Sequence, residues 1–142
     1  MKKWLKRIGV GFVALLIVLQ FVPVEQSNPA ERGEFRAPAD VEAVLRRACY
    51  DCHSNETNWP WYSKIAPLSF LLANDVNEGR REVNFSTWET YNDQRRARKL
   101  KEIVKEVESG DMPPWYYVVP LHPDAKLSAT ERQAITSWAK QD

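Results

Sequence analysis

Residues 49–53 read Cys49-Tyr50-Asp51-Cys52-His53, and no other stretch narrows the possible folds of this chain so far. The sequence holds two cysteines in 142 residues, which excludes a disulfide framework and leaves a shared ligand or a redox pair. Two thiolates about one helical turn apart can add across the two vinyl groups of a haem. The adjacent imidazole then reaches the iron from one face as an axial ligand. A chain that does this has to wrap a large, flat, apolar object, and six Trp, five Tyr and five Phe suit that demand.

Rival chemistries for the motif fit less well. A thioredoxin-like dithiol needs a βαβ setting, which the flanking sequence does not offer. A structural zinc site could recruit Cys49, Cys52, His53 and His122, but the neighbours Cys52 and His53 do not easily bind one tetrahedral metal together. A purely structural cysteine pair is the third alternative. The second axial position has two candidates. Met112, in Gly110-Asp111-Met112-Pro113-Pro114, lies 59 residues after His53 on a loop that the prolines stiffen, and Met/His ligation raises a haem's reduction potential. Met112 could instead fill core space. The other candidate ligand is His122, in Leu121-His122-Pro123, which otherwise reads as an exposed loop residue.

The N-terminus reads as a targeting segment. Lys2, Lys3, Lys6 and Arg7 precede an apolar run that, counted over residues 8–24, makes about 25 Å of helix against a bilayer core of about 30 Å. No small-x-small cleavage site follows, so a short uncleaved anchor is expected over a cleaved signal peptide. The basic end then stays cytoplasmic and the rest of the chain faces the periplasm. Formal charge is +3 over residues 1–25 and −2 over the rest, so the folded part carries no basic face for nucleic acid.

Residues 25–39 are polar, with two Pro and one Gly, and read as an extended linker. The domain proper, residues 40–142, reads as all-α. Asp40 is a candidate N-cap for a helix carrying Val41, Val44, Leu45 and Ala48 into Cys49. A second helix opens at Pro67, turns Leu68, Leu71, Leu72 and Val76 inward, and can end at Gly79. Ser86 and Glu89 suggest a capping box for a third, with a possible break near Asn92-Asp93 and a stop at Gly110. Ser128 and Glu131 suggest another capping box, for a fourth helix burying Leu127, Ala134, Ile135 and Trp138. The β-like run Tyr116-Tyr117-Val118-Val119, between Pro114 and Pro120, is confined to a loop or brief extended piece.

Two sets of motifs carry a resemblance. Met112-Pro113-Pro114, then Leu127-Ser128-x-x-Glu131 with Ile135 and Trp138, resembles the distal half of class I cytochromes c. That likeness implies a terminal helix crossing the helix that leads into the cysteine motif. Ala48 through Asn55, Trp59-Pro60-Trp61-Tyr62-Ser63, Gly79-Arg80, Asn84-Phe85-Ser86-x-Trp88 and His122-Pro123 are similar to a family of small, bacterial, membrane-anchored haem-binding domains. This likeness runs from about residue 28 onward and implies one covalently bound haem c.

Supporting roles are less specific. Trp59, Trp61 and Tyr62 could edge the porphyrin or donate to a propionate, and plain packing is as good an account. Arg80 or Arg81 could pair with a propionate, against the alternative of a solvated cation. The run Arg95-Arg96-x-Arg98-Lys99-x-Lys101 reads as the wet face of a helix, or else as a docking patch for an acidic redox partner. The expected activity is electron transfer between larger redox partners near the membrane, not catalysis. The alternative is a haem-based sensor or peroxidase-type module with an open distal site.

Overall fold

Apolar side chains recurring every three or four positions fold this chain into helices, and no strand occurs among the described residues. The computed structural model describes residues 2–30, 33, 35–119 and 121–141. Its helices are α1 (Lys2–Leu19), α2 (Ala39–Ala48), α3 (Tyr50–His53), α4 (Leu68–Glu82), α5 (Asp93–Ser109), α6 (Trp115–Val118) and α7 (Ala129–Ala139). Short 3₁₀ segments at Trp61–Lys64, Phe85–Thr90 (two turns kinked at Thr87) and Pro123–Ala125 join some of them.

Helix α2 buries Val41, Leu45 and Ala48 on one face. It passes into α3 with almost no break, since the Cys49 amide donates to Leu45 O at 2.9 Å and the His53 amide to Cys49 O at 2.9 Å. Asp40 lies in the first turn of α2; the N-cap position is Pro38, which makes no side-chain bond. Helix α7 has the capping box read from Ser128 and Glu131, and it buries Ile135 and Trp138. It packs against both α2 and α5. Arg47 of α2 pairs with Glu131, and Arg132 donates to Val107 O of α5 at 2.9 Å. Between these helices sits an aromatic core: Phe35 lies 4.8 Å from Phe85, 5.5 Å from Trp88 and 5.6 Å from Trp138, centroid to centroid. Edge-to-face contacts of this kind add to plain burial.

Four local readings are corrected. The third helix starts at Asp93 behind the N-cap Asn92, not at Ser86. Ser86 sits in a 3₁₀ turn whose cap is Asn84, and its hydroxyl accepts the Asn55 amide at 3.0 Å. Helix α4 runs through Gly79 to Glu82 and buries Ser69, Ala73, Val76 and Gly79, which leaves Leu68 and Leu71 facing outward. Residues 115–118 form a helical turn, begun where the carbonyl of Pro114 accepts the amides of Tyr117 and Val118 at 3.0 and 3.1 Å.

The expectation of a membrane-spanning N-terminal helix is also corrected. Helix α1 stops at Leu19, so residues 20–24 add nothing to its length, and four of its 18 residues are the cations that open it. No helix among the described residues is long and apolar enough to cross a membrane. The segment after α1 is extended and lies along the domain. Gln20 exchanges two 3.1 Å hydrogen bonds with the backbone of Ala66, Gln26 donates to Ser63 O, and Asn28 donates to Thr57 O at 2.9 Å.

Candidate functional site

Helices α4 and α5 present the same spacing of side chains to a common space. From α4 come Asp75, Glu78, Gly79 and Glu82, with the extended Val83 at its C-cap, and from α5 come Lys99, Glu102, Ile103, Glu106 and Val107. Positions i, i+3, i+4 and i+7 share one helix face, so each helix lays one stripe along the wall. The space they bound is a cavity of about 540 Å³, within the usual range for a cofactor site. Cys49, Cys52 and His53 line it from the α2–α3 junction, and Met112, Pro113 and Pro114 from the loop after α5. The four residues singled out as attachment and axial positions thus come together from places 59 residues apart.

Each is held by identifiable contacts. The His53 Nδ1 lies 2.9 Å from Gly79 O and 3.2 Å from Val83 O. Two carbonyls can only accept, so Nδ1 carries the proton and Nε2 keeps its lone pair for a metal. Burial lowers the imidazole pKa and keeps the ring neutral, as ligation requires. Helix α4 can supply those carbonyls because Gly79 has no side chain. A Cβ there would stand 2.5 Å from Cys52 O and 3.0 Å from Cys52 C.

Cys49 and Cys52 are free thiols. Burial, followed by their acidic neighbours, pushes each up to about 12: Cys52 acts on Cys49, and Asp51 and Asp75 on Cys52. Met112 owes its place to the end of α5. Gly110 turns left-handed at φ 83°, which a residue with a Cβ resists, and the Met112 amide then reaches back to Glu106 O at 3.1 Å. A second tie crosses the site: the Tyr117 hydroxyl donates to Asp51 Oδ2 at 2.8 Å, fastening the loop beyond Met112 to the cysteine motif.

The residues fit a haem. Two half-buried thiols one turn apart, a neutral imidazole with its far nitrogen free, and a thioether share a cavity whose exposed lining is mainly apolar. Comparison with known families decides the matter: a family model described as a haem-binding domain matches residues 14–141. The chain belongs to the haem-binding domain family. No curated protein and no solved structure matches it significantly.

Not every residue expected near the haem lines this cavity. Trp59, Trp61, Tyr62 and Arg80 are absent from its wall. Trp61 is exposed. Arg80 spends its donors on Ser54 O, Ser27 O, Asn28 Oδ1 and Thr57 Oγ1, at 2.7 to 2.9 Å, clamping the N-terminal segment to the motif loop. His122 also stays outside the wall; its Nε2 meets the Tyr62 hydroxyl, and its ring stacks on Tyr117 at 4.2 Å. Within the basic run, Lys99 turns inward to Glu82 and Glu102 at 3.4 and 2.6 Å, while Arg96 and Arg98 pair with Glu89 and Glu102.

Sequence reasoning missed the carboxylates of the wall. Asp51, Asp75, Glu78, Glu82, Glu102 and Glu106 line the cavity, with Lys99 the one cation beside them among the described residues. Their signal was present as acids at helical spacing with Gly79 and Val107, which in isolation looks like a solvated face.

Proposed function

We propose that this haem-binding domain carries one haem c, attached through thioether bonds to Cys49 and Cys52, and works as a one-electron carrier. The observation that carries this reading is the convergence of Cys49, Cys52, His53 and Met112 on one cavity. His53 and Met112 would hold the haem iron, His53 oriented by the Gly79 and Val83 carbonyls and Met112 by the turn at Gly110. A haem held there supplies an iron that cycles between ferrous and ferric states.

The protein's own part is to hold both axial side chains in place and to exclude water from the iron. With both positions filled, no site is left for a substrate, and this favours electron transfer over a sensor or peroxidase with an open distal site. His122, the spare imidazole that a peroxidase would draw on as acid or base, is engaged with Tyr62 and Tyr117. The proposed location is the periplasmic side of a bacterial inner membrane, with α1 as the tether. Support comes from its cations followed by an exposed apolar surface. The partners are redox proteins met at that membrane.

Two measurements test this reading. Haem stain that stays with the chain on a denaturing gel, and disappears in Cys49→Ala/Cys52→Ala, is expected for covalent attachment. Wild-type ferrous protein should resist carbon monoxide, whereas ferrous Met112→Ala should bind it, and oxidised Met112→Ala should lack the methionine–iron charge-transfer band that oxidised wild type shows. Rapid carbon monoxide binding by wild type would sink the electron-carrier reading.

A further inference from the structure

The N-terminal end of α4 and the turn before it leave apolar side chains uncovered beside the root of α1. Trp61 is 74% exposed, Ile65 44%, Leu68 41% and Leu71 58%. Leu68 and Leu71 are one helical turn apart and share a face, and they continue the stripe that farther along α4 becomes the cavity wall at Asp75. Phe21 and Val22, just past the end of α1, are exposed as well. The two groups are fastened together, because Gln20 exchanges its pair of hydrogen bonds with Ala66 in the middle of the patch.

Charge points the same way. Residues 57–74 contain no Asp or Glu, in a chain that has 19, and their one charged side chain is the exposed Lys64. A face bearing a peripheral Trp, branched aliphatics, one Lys and no carboxylate matches an anionic bilayer surface: the indole sits at headgroup depth and the ammonium meets lipid phosphate.

We infer that the face formed by Trp61, Lys64, Ile65, Leu68 and Leu71 seats on the lipid bilayer, continuous with α1, and holds the haem cleft at a set orientation above the membrane. This inference rests on the reading that α1 brings the chain to a membrane.

The test uses the full-length, haem-loaded, reduced protein carrying fluorotryptophan, in nanodiscs of phosphatidylethanolamine and phosphatidylglycerol. Fluorine NMR resolves the tryptophans, and Trp61→Phe assigns the line of Trp61. A lipid spin-labelled high on its acyl chain should broaden the lines of both Trp4 and Trp61, each losing more than about half its intensity, as interfacial burial demands. Ile65→Glu/Leu71→Glu should restore the Trp61 line alone. Broadening of Trp4 without Trp61 overturns the seated face and leaves the tether standing. Protein that does not co-fractionate with nanodiscs overturns both. Shielding of Trp61 from a water-soluble paramagnet without broadening by the labelled lipid means that protein, such as a second copy of this chain, covers the face, and it also overturns the inference.

Discussion

Gly79 lets the wall of α4 close on the cysteine motif, and two opposing magnitudes decide what its replacement does. Gly79→Ala gains about 1 kcal/mol of helix propensity inside α4. Against this, the new Cβ meets the backbone of Cys52 at 2.5 Å, and overpacking against atoms that cannot rotate away costs about 1–3 kcal/mol. The clash wins. The variant should melt at lower temperature than wild type and incorporate less haem, both readable from one purification. Tyr117→Phe is a milder change: it removes the bond to Asp51, worth about 1.5 kcal/mol for a charged acceptor. Its denaturation midpoint should fall with no change in slope. Legibility at this scale followed chemistry. Cys49, Cys52 and His53 announce themselves because few purposes need that spacing, and Met112 because the chain offers one internal methionine. Gly79 read as a helix stop because a missing side chain has no visible function until the carbonyl of Cys52 is placed against it.

Among the elements, α7 was the most readable and tests best. Ser128 accepts the Glu131 amide, and Glu131 accepts from the Ser128 backbone at 2.8 Å, closing the helix start on itself. Ser128→Ala should cost about 1 kcal/mol in chemical denaturation. Glu131 adds a pH dependence whose direction is fixed. Hydrogen bonds from Ser128, then the charge of Arg47, hold its carboxyl below the usual 4.5. A depressed carboxylate contributes stability above its unfolded value and loses that contribution as pH falls through the folded one. Wild type should therefore exceed Glu131→Gln in stability at neutral pH, and the two should converge well below pH 4.5. A gap that persisted at low pH would exclude the carboxylate as its source. Other elements were misread for physical reasons. The start of α5 was placed at Ser86 because Ser-x-x-Glu is a good cap signal, but Asn84 captures the Ser86 amide first and bends the chain into a 3₁₀ turn. The inward face of α4 was assigned to Leu68, Leu71 and Leu72 along with Val76 because hydrophobicity cannot report that Ser69, Ala73 and Gly79 take the buried positions beside Val76.

Seen whole, the molecule is a helical haem cage with its N-terminal segment tied down along one side. Arg80 is the principal tie, and its replacement separates two accounts of that residue. Arg80→Met should leave the haem spectrum and reduction potential unchanged, since Arg80 is not part of the cavity wall. It should also speed proteolytic cleavage within residues 20–30, since Ser27 and Asn28 lose their donor. A shifted potential with unchanged proteolysis would restore Arg80 to the haem. The same ties bear on how the proposed electron carrier would meet its partners. A free linker of this length lets a domain wander about 20 Å from its tether and tumble as it goes. Hydrogen bonds at Gln20, Gln26 and Asn28 remove that slack. On the proposed reading, with α1 as a membrane tether, height and tilt would be set in advance, and the search for a partner would become a matter of sliding and spinning in two dimensions. Under that reading, only membrane proteins whose redox centre stands at the matching height would exchange electrons with it, so geometry would filter partners before any contact is made.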